Sequence, residues 1–142
     1  MRILLAIDDS KFSAAAMETV IEQAQPLDTE VRVLHVVEPL PIYNPALATA
    51  SESQRQQAET FVAKAAERLR ARGLNVTAAV ERGDPRSKIL EVAEQWHADL
   101  IVLGSHGRNG LNRFLMGSIS DAVARHALCS VEIVRIRPAH IT

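Results

Sequence analysis

The sequence contains little cysteine and almost no net charge. One cysteine among 142 residues cannot form a disulfide within the chain. Sixteen basic residues stand against 17 acidic ones, which gives a formal net charge of −1. Proteins that bind nucleic acid or a membrane surface through charge carry a basic excess. The composition therefore argues against a disulfide-stapled fold, a general nucleic-acid role and attachment to a membrane surface.

Long hydrophobic runs are also missing. The apolar run at residues 3–7 is too short for a signal peptide and is followed at once by Asp8 and Asp9. No segment approaches the ~18 consecutive apolar residues of a membrane-spanning helix. With 47% hydrophobic residues, the chain can bury a full core. We therefore expect one domain over residues 1–142, with a cytoplasmic location.

Strand-like and helix-like patterns alternate along the chain. Apolar runs predict five strands, at residues 2–7, 31–37, 74–80, 99–103 and 131–136. Apolar residues at helical spacing predict four helices, one in each interval between strands. The alternation predicts an α/β fold, a single doubly wound five-stranded parallel sheet of Rossmann-like type with helices on both faces. The third strand alternates polar and apolar residues and is expected at or near a sheet edge.

The first and fourth strands are the most apolar and are expected at the centre of the sheet. If they are neighbours, the chain reverses its winding between them and opens a crevice at their carboxyl ends, where ligands bind in such sheets. Asp8 follows the first strand and Gly104 follows the fourth. The two are therefore expected to face each other across the crevice.

Glycines mark both ends of the connection after the fourth strand. Residues 104–118 read GSHGRNGLNRFLMGS, with Arg108 and Arg113 inside and no acidic residue. Glycines let a phosphate approach the backbone closely, and arginines can pair with it. The pattern predicts a phosphate site. Ordinary turn glycines and solvated arginines are the alternative.

An amphipathic pattern begins after this connection and predicts a fourth helix. Ser118 is the expected N-cap, with Asp121 at the capping-box position. A helix start offers unpaired N–H groups and a partial positive charge to an anion. We expect a side chain at Gly117 to enter the space of a bound phosphate before it disturbs the core.

The spacing Gly104-x2-Gly107-x9-Gly117-Ser118 resembles the glycine signature of the nucleotide-binding branch of the universal stress protein family. Residues 3–10, 34–37 and 125–131 resemble segments of the same family, so the resemblance covers nearly the whole chain. Members that do not bind nucleotide typically lack these glycines. The resemblance therefore implies an ATP-binding protein with strand order 3-2-1-4-5 that regulates stress response or signalling and is not an enzyme.

The resemblance also implies a set of residues that contact the nucleotide. They are Ala6, Ile7, Asp8, Val36, Leu103, Gly104, Gly107, Arg108, Gly117, Ser118 and Ile119. Asp8 is expected to accept a hydrogen bond from a ribose hydroxyl or to help hold Mg²⁺ through water. The backbone at Val36 is expected at the adenine.

Neighbouring residues are expected to have structural roles. Asp9 and Ser10 can cap the first helix, and His106 is expected to be structural or to lie beside a phosphate. Cys129 is expected to be a small buried hydrophobe, and Trp96 a core residue of the third helix.

The last strand is predicted to form a homodimer interface. It is an apolar edge strand, and an uncovered edge invites pairing. Members of the universal stress protein family, which the sequence resembles, dimerise by antiparallel pairing of this strand. The sequence departs from the family in that Glu132 and Arg135 interrupt the apolar run and Ser130 stands where proline is common.

Two other functions stay open. A slow ATP-hydrolysing or nucleotidyl-transferring enzyme would need little more than a bound metal and a water. The G-x4-G-K-S/T loop, the G-x-S-x-G elbow and the H-x-G-H signature of nucleotidyl transferases are, however, absent. A dimeric interaction domain that holds no nucleotide is the other alternative.

Overall fold

The computed structural model describes residues 1–39, 48–107 and 116–136. Within these ranges strands and helices alternate, as predicted. The elements are β1 (Arg2–Ala6), α1 (Lys11–Gln23), β2 (Glu30–Val37), α2 (Ala48–Arg70), β3 (Asn75–Arg82), α3 (Pro85–Trp96), β4 (Leu100–Gly104), α4 (Ser118–His126) and β5 (Ser130–Val134). The predicted bounds of the strands differ from these by at most two residues, with the largest differences at the ends of β3 and β5.

The five strands form one sheet with the order β3-β2-β1-β4-β5, and all four neighbouring pairs are parallel. This confirms the predicted strand order and the edge position of β3. At the centre, Leu4 of β1 lies opposite Arg32 of β2 and Ile101 of β4. The chain therefore winds outward in one direction from β1 to β3 and in the other from β4 to β5.

Two hydrophobic cores cover the two faces of the sheet. Leu5 is fully buried under α1 and α2, among residues such as Val20 and Leu69. Its neighbour Leu4 is fully buried on the opposite face, where Ile89 of α3 and Val123 of α4 cover it. Successive side chains of a strand point to opposite faces, so a continuous apolar run is buried on both. Each such leucine contributes about 1.5–3 kcal/mol to stability by its burial.

Trp96 and Cys129 both pack against the core under α3 and α4, as expected, although each is only half-buried. The guanidinium carbon of Arg32 lies 4.6 Å from the centroid of the Trp96 ring, so the outer side of the indole is covered by a cation. Burial raises the pKa of the Cys129 thiol. The thiol is therefore mainly protonated at neutral pH, as suits a packing role.

The predicted cap of α1 is confirmed in part. Ser10 is the N-cap of α1, where its Oγ accepts a hydrogen bond from the Ser13 N–H at 3.2 Å. Asp9, the other predicted cap of α1, does not hold that position. Asp84 is the N-cap of α3 and Pro85 its first helical residue.

The predicted N-cap of α4 is wrong. Gly117 occupies the cap position with extended backbone, and Ser118 is already helical. The physical reason is the bond from the Gly117 N–H to the Ser105 carbonyl at 2.8 Å, which fixes the chain one residue earlier. Asp121 does not complete a capping box and instead pairs with Arg125. No helix in the described ranges is long and apolar enough to span a membrane.

A substitution at the end of α3 should stabilise the fold. Exposed His97 has φ 57° and ψ 50°, a left-handed conformation that costs a side chain about 1–2 kcal/mol and glycine almost nothing. We expect His97→Gly to raise the free energy of unfolding by about 0.5–1 kcal/mol in urea titrations, after the entropic cost of glycine. His97→Ala, the matched control, should give no gain. Equal stability of the two variants would contradict the explanation.

Candidate functional site

A cavity of about 760 Å³ opens at the carboxyl ends of β2, β1 and β4. Its volume is in the range of small-molecule sites, and it lies where the winding of the sheet reverses. All predicted contact residues in the described ranges line it, namely Ala6, Ile7, Asp8, Val36, Leu103, Gly104, Gly107, Gly117, Ser118 and Ile119. Arg108 and Arg113 lie outside the described residues. Contact of these residues with a ligand stays a prediction.

Asp8 joins the end of β1 to the start of α1. Its Oδ1 accepts hydrogen bonds from the Ser10 N–H and the Ser13 Oγ–H, both at 2.9 Å. The Asp8 N–H in turn donates to Ser13 Oγ at 2.8 Å. Oδ2 faces Gly107, where a Cβ would lie 3.1 Å from it. One carboxylate oxygen therefore has a structural role, and the other lies beside Gly107.

Gly104 is a packing glycine. A Cβ at this position would lie 2.7 Å from both the carbonyl carbon and the Cβ of Phe12 in α1. The space that its missing side chain leaves is therefore filled by α1 and is not open to the cavity. This differs from the sequence interpretation, in which the glycine leaves room for a phosphate.

Gly117 is also closely packed. A Cβ there would lie 3.1 Å from the His106 Cα and 3.2 Å from the Ser105 carbonyl oxygen. The expectation that a side chain at Gly117 enters the ligand space first is therefore wrong, because it meets the backbone after β4. The φ of −65° shows that the restriction is one of space and not of backbone conformation.

His106 forms part of the cavity wall and is buried. Its ring centroid lies 5.0 Å from that of Phe12, and its Nδ1 is 2.9 Å from Ser105 Oγ. A second anchor lies beside it, where the Ser120 Oγ–H donates to the Ser105 carbonyl at 2.8 Å. These contacts tie the end of β4 to α1 on one side and to α4 on the other, in agreement with a structural role for His106.

The β2 side of the cavity contains residues that sequence reasoning missed. Phe61, Ala58, Gln57 and Gln54 line it from α2, and their spacing places them on one helix face. His35 of β2 contacts Phe61 edge to face, with ring centroids 5.5 Å apart. The helical spacing of Phe61 was visible in the sequence. That this end of α2 faces the cavity follows only from how α2 packs on β2 and β3.

His35 also fixes the end of β1. Its Nδ1 lies 2.8 Å from the Ile7 carbonyl oxygen. A carbonyl oxygen only accepts, so Nδ1 carries the proton in this contact. The imidazole therefore holds the β1–β2 junction at the floor of the cavity.

A pair of alanine substitutions should distinguish a glycine that packs against a helix from one that lines the cavity. Gly104→Ala brings a methyl group within 2.7 Å of helix backbone, and we expect it to lower the free energy of unfolding by at least about 2 kcal/mol. Among the residues that the structure describes, the methyl group at Gly107 would meet only the end of the Asp8 side chain. Gly107→Ala should therefore cost less than about 1 kcal/mol in the same urea titrations. Equal losses at the two positions would contradict this assignment.

The sheet order and the cavity define a doubly wound α/β protein with a cavity at the switch point between β1 and β4. The chain belongs to the universal stress protein family, whose family model matches residues 1–135.

Relatives and solved structures agree with this membership. A universal stress protein from Methanocaldococcus jannaschii is 31% identical over 138 residues, which cover 94% of this chain and 81% of the relative. Universal stress protein A homolog 2 from Coxiella burnetii is 33% identical over 138 residues, which cover 95% of this chain and 93% of the relative. The structure of the universal stress protein UspA from Lactobacillus plantarum superimposes with a TM-score of 0.85 at 27% identity, over 95% of this chain and 97% of that one.

Two solved neighbours carry an adenine nucleotide. One is a universal stress protein in complex with cAMP, with 21% identity and a TM-score of 0.73 over 94% of this chain and 96% of that one. The other is a family member from Arabidopsis thaliana with AMP bound, with 17% identity and a TM-score of 0.72 over 96% and 92%. At these identities the likeness shows the shared fold.

Proposed function

We propose that this chain is a cytoplasmic ATP-binding regulatory protein of the universal stress type that acts in stress response or signalling. In this proposal residues 1–142 form one nucleotide-binding domain. The observation that carries the proposal is the cavity at the switch point, which has a helix start at one end and an apolar, aromatic wall at the other. The nucleotide-bound neighbours in the family support it.

The phosphate end of the proposed site is the start of α4. The first hydrogen bond within this helix runs from the Asp121 N–H to the Gly117 carbonyl, so the N–H groups of residues 118–120 make no bond inside the helix. Ser118 is exposed at the cavity, and its hydroxyl can donate to a phosphate oxygen. Such a helix start attracts anions through its free N–H groups and its dipole.

The base end of the proposed site is the β2 side. Val36 and Phe61 supply apolar surface there, and His35, which contacts Phe61, lies in the same wall. A purine is flat and largely apolar on its faces, so it suits an aromatic and aliphatic wall. The ribose would then cross the end of β1, beside Asp8.

Mg²⁺ is part of the proposal only as a companion of the phosphates. In residues 1–39, 48–107 and 116–136, no group of three or more His, Cys, Asp or Glu side chains is arranged to hold a metal ion. Mg²⁺ is commonly bound by one or two carboxylates together with phosphate oxygens and waters. The Oδ2 of Asp8 fits the carboxylate part of that donor set.

The proposed activity is binding, with slow ATP turnover as the alternative. Curated relatives are named as stress proteins and not as enzymes. Incubation of the protein with ATP and Mg²⁺ distinguishes the two, since multiple turnovers with phosphate release would favour the enzyme. A protein that neither binds ATP nor gains thermal stability from it would be an interaction domain.

Ser118→Ala should weaken ATP binding without affecting the fold. One hydrogen bond of about 1–1.5 kcal/mol corresponds to about a five- to tenfold increase in Kd, measured by isothermal titration calorimetry. Ser53→Ala is the matched control, because Ser53 is exposed on α2 and does not line the cavity. Ser118→Ala is a cleaner test than Gly117→Val, since a valine would collide with the His106 backbone. An unchanged Kd for Ser118→Ala would contradict the proposal that the phosphates bind at the start of α4.

We also propose a homodimer through β5. β5 is an edge strand, and Leu128 beside it is 87% exposed. The Val134 carbonyl accepts a hydrogen bond from the Ser105 N–H of the β4 side at 2.9 Å. Because backbone groups alternate in direction along a strand, those of Val131 and Ile133 point to the open edge. They are the groups that a second copy of the strand would pair with.

Ile133→Pro should convert the dimer to a monomer. Proline removes the N–H at the open edge, while the bonds from β5 to β4 come from alternate residues. Ile133→Ala removes more of the side chain than proline does but keeps the backbone N–H. This variant should therefore remain dimeric. Light scattering coupled to size exclusion at micromolar concentration gives both masses. A monomeric parent protein, or a dimeric proline variant, would reject pairing through this edge.

A further inference from the structure

Gln54 carries a buried acceptor without a partner. Among the buried side-chain nitrogen and oxygen atoms of residues 1–39, 48–107 and 116–136, its Oε1 is the one that makes no hydrogen bond. Buried polar atoms are nearly always paired, because leaving one unpaired gives up its hydration without compensation. An exception on the wall of a ligand cavity indicates a partner that arrives with the ligand.

The position of Gln54 places it at the base end of the cavity. It shares one face of α2 with Phe61, two turns further along, and both line the cavity. Phe61 contacts His35 of β2, so Gln54 lies about 10 Å beyond that contact along the helix axis. The start of α4, with its free N–H groups, lies beside β4, on the other side of β1. A nucleotide with its phosphates there extends its base toward α2.

The side-chain amide of glutamine matches one edge of adenine. Adenine presents a donor at its 6-amino group and an acceptor at N7, and a glutamine amide presents the complementary oxygen and NH₂. The last torsion of glutamine is broad, so a partial turn of the amide can bring its oxygen from the buried position to the cavity side without exchanging it with the NH₂. Guanine carries an acceptor, O6, where adenine carries the amino group.

We propose that Gln54 is the residue that makes this cavity select adenine, by accepting a hydrogen bond from the 6-amino group through Oε1. The inference rests on the proposed function, since it concerns the base of the same nucleotide. Binding supplies the missing donor, so the acceptor is unpaired only in the free protein. A site built around such a bond discriminates against an analogue that lacks the donor, because the acceptor is then left unpaired.

The test compares ATP with purine riboside 5′-triphosphate, which lacks only the 6-amino group. Calorimetric titration of the full chain should give ATP about five- to tenfold tighter binding, the effect of one hydrogen bond. Gln54→Leu should bring this ratio close to one. Gln54→Glu retains an acceptor at the same place and should keep a preference for ATP.

Gln56→Leu is the matched control. Gln56 is exposed on the same helix, does not line the cavity, and should leave the ratio unchanged. Thermal melts without nucleotide give a second readout, because Gln54→Leu removes an unpaired buried acceptor and should melt at or above the temperature of the parent.

The outcomes separate this inference from the proposed function. A parent protein that binds both nucleotides equally, or a Gln54→Leu variant that keeps the full preference for ATP, overturns the role of Gln54 and leaves nucleotide binding intact. A parent protein that binds neither nucleotide overturns the proposed function and this inference together. The role of Gln54 is supported if Gln54→Leu loses the preference for ATP while Gln54→Glu and Gln56→Leu keep it.

Discussion

The pairing of β1 on both of its edges is the constraint on which the rest of the structure depends. β2 lies along one edge and β4 along the other, so the chain must reverse its winding between them. α1, which follows β1, and α4, which follows β4, lie on opposite faces of the sheet, and the cavity opens between their starts. Both cores, the cavity and the junction at Asp8 follow from this arrangement of one central strand.

The small residues around the cavity hold the protein together more than they make room for a ligand. Gly104 lets α1 approach β4, and Gly117 lets the start of α4 approach Ser105 and His106. Close contacts of this kind leave the backbone at Gly104 and Gly117 little freedom to move, because protein interiors are close-packed. The proposed phosphate site therefore inherits its geometry from two helix contacts, and the helix start is in position before any ligand arrives.

Most of the fold could be predicted from the sequence, because the spacing of apolar residues and the positions of glycines are local signals. The runs at β1 and β4 predicted central strands, and the motif glycines predicted which connection lines the cavity. Two kinds of information were missing. The cap of α4 depended on a bond from Gly117 to Ser105, a tertiary contact that no local pattern encodes. The position of Gln54 in the cavity wall depended on where the start of α2 lies relative to the sheet, and glutamines on a helix are otherwise ordinary surface residues.

The strand order also bears on how the molecule is made. Ile3 pairs with Leu100, so a chain synthesised from its amino terminus leaves one apolar edge of β1 open until β4 has emerged. Open apolar edges are sites of aggregation, and late closure of a central edge exposes the nascent chain to it. The cavity takes its walls from both β1 and the start of α4, which emerges only after β4. A ribosome-bound chain therefore has no complete pocket until α4 has been made, and any protection that a ligand gives the fold begins only then.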